Sequence, residues 1–352
     1  MKTWLVTGGA GFIGGNFVHA ARGQGRARVV NLDALTYAGH PETLRPLSGD
    51  PDHLFVHGDI GDRALVARLL AEHRPSAVVH FAAESHVDRS IDGPAAFVQT
   101  NVLGTLALLE AVLDYWNTLG GAKRDAFRFL HISTDEVYGA LGATGAFTED
   151  SPYRPNSPYA ASKAAADHLV RAFHRTHGLP ALTSNCSNNY GPYQYPEKLI
   201  PLMILKGLAG EPLPVYGDGQ QVRDWLYVGD HCSALFRVLE AAEPGSVHVI
   251  GGNCERANLD LVRTLCRVLD DRHPEGAPHD RLITFVEDRP GHDRRYAIDA
   301  RRMREELGWE PSVDLAAGLE RTVAWYLDHR DWCAAVLGER YQGERLGLQR
   351  GA

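Results

Sequence analysis

The chain has 352 residues, 44% of them hydrophobic and 23% charged, with a formal net charge of -8. A chain this long buries a large core and is expected to form two domains or lobes of an ordinary soluble globular protein. The acidic balance, with no basic run, excludes a nucleic-acid polymer as partner, and no apolar stretch is read as reaching the roughly 18 residues that span a membrane.

In chain order, Trp4-Leu-Val-Thr7 predicts a short buried strand, and Asn16-Phe-Val-His-Ala-Ala a helix. Between them runs Gly8-Gly-Ala-Gly11-Phe12-Ile13-Gly14. Glycines between a strand and a helix allow a tight turn and bring backbone N–H groups close to a pyrophosphate at the helix's positive end. A second apolar strand over 28–32 ends in Asp33. An acid about twenty residues after the loop suits the ribose hydroxyls of NAD and repels the extra phosphate of NADP. A purely structural glycine turn is the alternative, but strand, helix and acid together favour dinucleotide binding. The chain enters this first strand at once, so a cytoplasmic protein without a signal peptide is expected.

Asp62 is read as the N-cap of a helix over 63–73, and 77–81 as a buried strand. Residues 95–116 have helical apolar spacing and 127–132 the pattern of a strand. Ser157 and Pro158 start a helix that Gly178 closes, and 182–186 returns a strand. This alternation predicts a parallel sheet with helices on both faces, whose chemistry lies at the carboxyl ends of the strands. Gly8, Asp33, Ala82, Thr134 and Ser187 are all expected there.

The second half is less regular. Tyr190-Gly-Pro-Tyr-Gln-Tyr-Pro is an aromatic loop. Helices are expected over 199–208, from Asp230 to about 242, over 258–269, from Asp299 to near Gly308, and, as the last, over 315–328. Extended segments are expected over 212–216, 224–228 and 246–250, the last returning to the main sheet. The lobes are therefore interleaved: 1–183 plus about 222–253, and about 184–221 plus 254–345. Cys186, Cys232, Cys254, Cys266 and Cys333 are odd in number and scattered, which predicts reduced thiols. The dispersed histidines form no ligand cluster, so no metal is expected.

The chemistry is concentrated in Ser133-Thr134-Asp135-Glu136 and, twenty-three residues beyond Glu136, Tyr159-Ala-Ala-Ser-Lys163. Tyr159 and Lys163 lie one helical turn apart, where an ammonium lowers a phenol's pKa and makes it a base. Asp135 and Glu136 add two carboxylates that simple hydride transfer does not need. They point to proton chemistry combined with redox, or else to an acidic pair that merely starts a helix.

These motifs, with Asp33-Ala-Leu-Thr-Tyr-Ala-Gly39, Ala82-Ala-Glu-Ser-His-Val-Asp-Arg-Ser90, Asn185-Cys-Ser-Asn-Asn-Tyr-Gly-Pro192, Arg223-Asp-Trp-Leu-Tyr227 and Asp288-Arg-Pro-Gly-His-Asp-Arg-Arg-Tyr296, make nearly the whole chain resemble the extended short-chain dehydrogenases/reductases. Within that superfamily the chain is most similar to the dTDP-glucose 4,6-dehydratases, whose Thr-Asp-Glu triplet sugar 4-epimerases usually lack. The resemblance implies an α/β fold: a Rossmann-type doubly wound parallel sheet with a smaller interleaved α/β substrate-binding lobe. It also implies a homodimer through the helix bearing Tyr159 and the long helix before it. The alanines at 160, 161 and 164–166 suit that packing and suit packing within one chain equally well.

The implied reaction is internal redox. Hydride passes from sugar C4 to NAD while Tyr159 accepts the hydroxyl proton. Glu136 then removes the C5 proton, protonated Asp135 donates to the leaving 6-hydroxyl, hydride returns to C6 and C5 is reprotonated. Thr134 binds the 4-oxygen and Lys163 the nicotinamide ribose. The cofactor shell implied is Gly8, Gly11, Phe12, Ile13, Gly14, Asp33, Ala34, Leu35, Thr36, Asp59, Ile60, Phe81, Ala82, Ala83, Ser85, Thr100, Tyr159, Lys163 and Asn189. The nucleotide-sugar shell implied is Ser85, Thr134, Asn188, Glu197, Lys198, Leu199, Pro214, Tyr216, Arg223, Asn258, Asp288, His292 and Tyr296. Arg223 has the strongest physical case as a phosphate ligand, against a local pair with Asp224. Glu84 and His86 are read as structural or cofactor-pocket residues rather than catalytic ones, and Asn101 as structural. A UDP-glucose dehydratase, a 4-epimerase and a non-catalytic NAD-binding regulator remain alternatives.

Overall fold

A computed structural model describes residues 1–288 and 291–338 of the chain. The expected end of the second lobe near 345, and Arg289 and Pro290 within the last motif, lie outside the described residues.

The first strands are β1 (Lys2–Thr7), β2 (Ala27–Asp33), β3 (His53–His57), β4 (Ala77–His80), β5 (Arg128–Thr134) and β6 (Ala181–Cys186). After β7 (Asn188–Tyr190), β8 (Leu213–Tyr216) and β9 (Val222–Tyr227) come β10 (Val247–Ile250), β11 (Glu255–Ala257) and β12 (Ile283–Val286). The main sheet is seven-stranded and parallel, in the order β10-β6-β5-β4-β1-β2-β3. The order reverses between β1 and β4, and a crevice opens at the carboxyl ends of that pair.

Both faces of this sheet are covered, as its apolar runs require. On one face Phe17, from helix Phe12–Gly23, packs with ring centroids 5.9 Å from Trp4, 5.2 Å from Phe81 and 4.6 Å from Phe236. On the other, Leu5, Val30 and Val78 meet the fully buried Leu108, Leu109 and Val112. Those leucines belong to a helical run, Pro94–Thr118, that is long and apolar enough to cross a membrane by length and composition. This corrects the expectation that no stretch reaches that length. The run is apolar because it lies on the sheet, packed against helices Arg63–His73 and Pro158–His177. Nor is it one uniform helix: Val98–Gly104 is a π-type turn between Pro94–Phe97 and Thr105–Thr118.

The smaller lobe holds a three-stranded sheet, β11-β9-β7, and the parallel pair β12-β8. Its core gathers Tyr190, Met203, Trp225, Tyr326 and Trp332. Strand β9, expected with the larger lobe, pairs in this sheet, while its Leu226 is buried in the larger lobe's core. The helix expected from Asp230 is Val228–Ala241, two residues earlier. The Asp230 carboxylate instead accepts the N–H groups of Ser312 (2.9 Å) and Val313 (2.8 Å), tying the C-terminal segment down. A further helix, Arg330–Leu337, follows the one expected to be last. It is fixed by Trp332, 5.1 Å from Trp325, a contact with no short-range signal in the polar run that precedes it.

Candidate active site

The crevice is a cavity of about 290 Å³. Gly8, Gly11, Phe12, Ile13 and Gly14 line it beside Asp33, Ala34, Thr36, Asp59 and Ile60. Phe81, Ala82, Ala83, Ser85, Thr100 and Asn189 complete the expected cofactor shell. Leu35 is not on the lining; its N–H donates to Asp33 Oδ1 at 2.8 Å from a left-handed backbone, φ 51°. The close approaches explain the glycines. Gly8 has φ 75°, and a Cβ there would lie 2.5 Å from the Ala82 nitrogen; one on Gly14 would lie 2.2 Å from the Gly8 carbonyl oxygen. Helix Phe12–Gly23 starts at Gly11 with no side-chain cap, so its first N–H groups stay available to an anion. Asp33 closes β2, and its other oxygen, Oδ2, accepts the Ala10 N–H at 2.8 Å. Burial raises the proton affinity of Asp33, and these two N–H donors oppose the rise.

Thr134 ends β5 and caps the short 3-10 turn Asp135–Tyr138, accepting the Glu136 N–H at 3.3 Å. The acidic pair therefore does open a helical turn, and the turn separates the two carboxyls. Glu136 lines the cavity, whereas Asp135 lies behind it, 1% exposed. Asp135 Oδ1 accepts the Thr134 hydroxyl at 3.4 Å, and Oδ2 has no hydrogen-bond partner among the described residues. Burial, then the charges of Glu136 and Asp224, hold Asp135 well above the usual carboxylate range. Adjacent carboxyls are thus split into a neutral acid and a group facing the cleft.

Tyr159, Lys163 and Thr134 also line the cavity. The expected lowering of the phenol is not found: burial first, and then the Glu136 charge, raise Tyr159 well above an ordinary tyrosine, with only the Thr134 hydroxyl opposing. Lys163 Nζ donates one proton to the Ile132 carbonyl at 2.8 Å, and burial outweighs its charge at the phenol.

The expected sugar-nucleotide residues fall in two groups. Ser85, Asn188, Glu197 and Lys198 line the cavity with Thr134, and Leu199 begins the helix that follows. Pro214, Tyr216, Arg223, Asn258, Asp288, His292 and Tyr296 are off its lining and gather in the smaller lobe. There His292 Nδ1 is 2.6 Å from Asp288 Oδ1, and the Tyr216 and His292 rings are 6.3 Å apart. Gln221 donates to Asp288 at 2.8 Å and accepts the Asn258 N–H at 2.9 Å. The Arg223 guanidinium lies 4.3 Å over the Tyr296 ring and donates to the Asp293 carbonyl at 2.9 Å. The Asp224 carboxylate accepts the N–H groups of Gly252 and Cys254, at 2.9 and 2.6 Å. The two groups share one electrostatic field: Glu136 raises Tyr296, and Arg223 opposes the rise at Asp135.

Three structural expectations find their partners. Asn101 accepts the Glu84 N–H at 2.9 Å and donates to the Glu84 carbonyl and the Ser162 hydroxyl, so the π-type turn ties the loop after β4 to the Tyr159 helix. The His86 ring accepts the Arg89 N–H at 3.4 Å and caps a short helix. Tyr37 and Gln194, which sequence reasoning missed, line the cavity. The Tyr37 hydroxyl is 3.3 Å from Ser85 Oγ, and Arg89 lies 4.3 Å over its ring while pairing with Glu197 at 3.1 Å. Its only signal was its place between Asp33 and Gly39.

The family model described as GDP-mannose 4,6 dehydratase matches residues 5–322. A dTDP-glucose 4,6-dehydratase of Xanthomonas campestris pv. campestris (strain B100) is 65% identical over 349 residues, 99% of each chain. The crystal structure of a dTDP-glucose 4,6-dehydratase from Bacillus anthracis in complex with NAD is 44% identical, with a TM-score of 0.85 over 96% of this chain and 100% of that one. A UDP-glucose 4-epimerase from Thermotoga maritima, crystallised with UDP-glucose, is 29% identical, with a TM-score of 0.82 over 94% of this chain and 100% of that one. On this identity, over almost its full length, the chain belongs to the dTDP-glucose 4,6-dehydratase family.

Proposed function

We propose that the chain is a lyase that converts dTDP-glucose to dTDP-4-keto-6-deoxyglucose and water by internal NAD redox, the step that opens dTDP-rhamnose and related deoxysugar synthesis. One observation carries this reading: two adjacent carboxyls lie beside a dinucleotide cleft, one buried and held neutral, the other on the cavity wall. An epimerase has no use for that pair. The choice of dTDP over UDP or GDP rests on relatives that are 51–65% identical.

The residues fit NAD. The uncapped helix start and the close glycines receive a pyrophosphate, and Asp33, at the end of β2, receives ribose hydroxyls. Bound there, NAD supplies reversible hydride transfer between its nicotinamide and sugar carbons 4 and 6. Tyr159 takes the proton from the 4-hydroxyl, and the Thr134 hydroxyl holds the same oxygen. Positive charge in the cleft, from Lys163 and the oxidised nicotinamide, offsets the burial that disfavours a phenolate. With a ketone at C4, the C5 proton becomes acidic; Glu136 removes it, Asp135 gives its proton to the departing 6-hydroxyl, and C5 takes a proton back when hydride reaches C6. Arg223, stacked on Tyr296, is assigned to the diphosphate, and the remaining smaller-lobe residues to the nucleotide.

The cofactor lobe is drawn from about 1–183 plus 222–253, with β9 as the seam to the nucleotide-sugar lobe. A homodimer through the Pro94–Thr118 run and the Tyr159 helix suits Val98 and Leu103, 49% and 48% exposed on that run. The free cysteines suit the cytoplasm, where reduced thiols persist. The test is incubation with dTDP-glucose without added reductant, followed by mass spectrometry. Loss of one water with no net reduced cofactor supports the reading. An isomer of unchanged mass means epimerisation and overturns it.

A further inference from the structure

Helix Pro158–His177 carries a third polar residue in register with Tyr159 and Lys163: Asp167, one further turn along the same face. Its carboxylate is 3% exposed and is surrounded by donors. Oδ1 accepts His131 Nε2–H at 3.1 Å. Oδ2 accepts the hydroxyls of Ser133 and Tyr153, each at 2.9 Å, and Asn185 Nδ2–H at 3.0 Å. A carboxyl that only accepts, from four donors, is held as an anion.

The mechanism leaves this anion unexplained, and its surroundings identify its partner. Lys163 Nζ lies 3.5 Å from His131 Nε2. That nitrogen carries the proton given to Asp167, so it cannot accept one from Lys163. The ammonium therefore spends one proton on the Ile132 carbonyl and keeps the other two for the cleft. The titratable groups around Lys163 are His131 on β5, His80 on β4, Cys186 on β6, and Tyr159 and Asp167 on its own helix. His80 is pinned between the Thr7 and Thr105 hydroxyls, at 2.8 and 3.0 Å. Burial keeps both histidines neutral, pushes the Cys186 thiol up to about 12 and raises Tyr159. Among these groups Asp167 alone supplies negative charge.

We propose that Asp167 is a positioning residue for the reaction: the buried counter-ion, acting across His131, that keeps Lys163 an ammonium aimed at the cleft. Its role in turnover rests on the dehydratase reading, but the ion pairing itself does not.

The experiment is the pH profile of kcat for dTDP-glucose in the NAD-loaded enzyme and its Asp167→Asn variant. Burial leaves Lys163 titrating at about 8, and the nearby carboxylate holds it up. Without that carboxylate the ammonium is lost at lower pH. The alkaline limb should move down by about one unit or more, with about tenfold lower kcat above it and an unchanged KM. Asp167→Glu should restore the limb. A limb that stays in place in a folded Asp167→Asn variant overturns the proposal. If that variant does not fold, thermal unfolding of Lys163→Met against the parent decides, and it needs no turnover. A counter-ion stripped of its cation gives a stability deficit that grows as pH rises through the carboxylate range, whereas a deficit flat with pH overturns the pairing.

Discussion

Asp135→Asn separates the buried acid from every other part of the site. Asparagine is nearly isosteric with a protonated aspartic acid. Its Oδ1 can still accept the Thr134 hydroxyl, and its amide replaces an oxygen that has no partner among the described residues. Folding should therefore survive while proton donation to the leaving hydroxyl is lost. A positioned acid contributes about 10²–10⁴-fold, so dehydration should fall by that factor. Oxidation at C4 does not need the acid, so reduced cofactor should accumulate and show in the nicotinamide absorbance. Stability gives an independent readout. The native proton affinity of Asp135 lies well above that of the unfolded chain, where an aspartate titrates near 4. Below that range both states hold the proton and nothing is lost. As pH rises past it, only the native state holds the proton, and the parent loses about 1.4 kcal/mol per pH unit until the native group itself titrates. Asparagine removes this slope. The variant should gain on the parent as pH rises above the unfolded carboxylate range, with a higher Tm at neutral pH and the gap closing in acid. A gap that is flat with pH would mean that Asp135 is ionised in the native protein, and the assignment of acid and base would fail.

Glu136→Gln should stop the reaction at the same point, because the C5 proton stays in place. Here deuterium exchange at C5 should disappear as well, and persistent exchange would place the base elsewhere. Asp33→Ala removes the carboxylate assigned to the ribose hydroxyls, a charged hydrogen bond worth about 1.5–3 kcal/mol. The Kd for NAD should rise by about 10- to 100-fold, and an unchanged Kd in a fluorescence titration would remove Asp33 from the ribose site.

The larger lobe was legible because its signals are local. An apolar run that ends in a glycine loop or an acid marks a strand's carboxyl end, and in a parallel sheet those ends meet. Hence nearly all of the expected cofactor shell lines one cavity. What failed depended on distance or charge. Alternating apolar residues cannot show a π-type turn at Val98–Gly104, whose purpose is a bond between Asn101 and a loop seventeen residues away. Spacing placed Tyr159 beside Lys163 correctly but could not show that the ammonium points at Ile132, nor that burial outweighs it. Asp167 has no motif at all, because its donors come from 131, 133, 153 and 185. The glycine- and alanine-rich loop between Tyr138 and Pro158 is strapped to the smaller lobe: Arg295 donates to the Gly145 carbonyl at 2.9 Å, and its own carbonyl accepts the Leu141 N–H at 3.0 Å.

That strap and the field between the lobes lead to Arg223. Its charge lowers the proton affinity of Asp135, against the stronger effects of burial and of Glu136. A guanidinium that turns its charge to a substrate diphosphate stabilises Asp135's anion less, so binding the nucleotide should favour the protonated acid that elimination needs. Arg223→Gln should then raise the KM for dTDP-glucose by about tenfold or more, through the lost phosphate contact, and lower kcat far less, because the acid is already protonated. In the unliganded protein the same substitution should extend the pH range over which the Asp135 proton costs stability, so that Tm keeps falling to a higher pH than in the parent. A loss in kcat with KM unchanged would refute this, since it would place Arg223 at the reacting carbons and not at the phosphates.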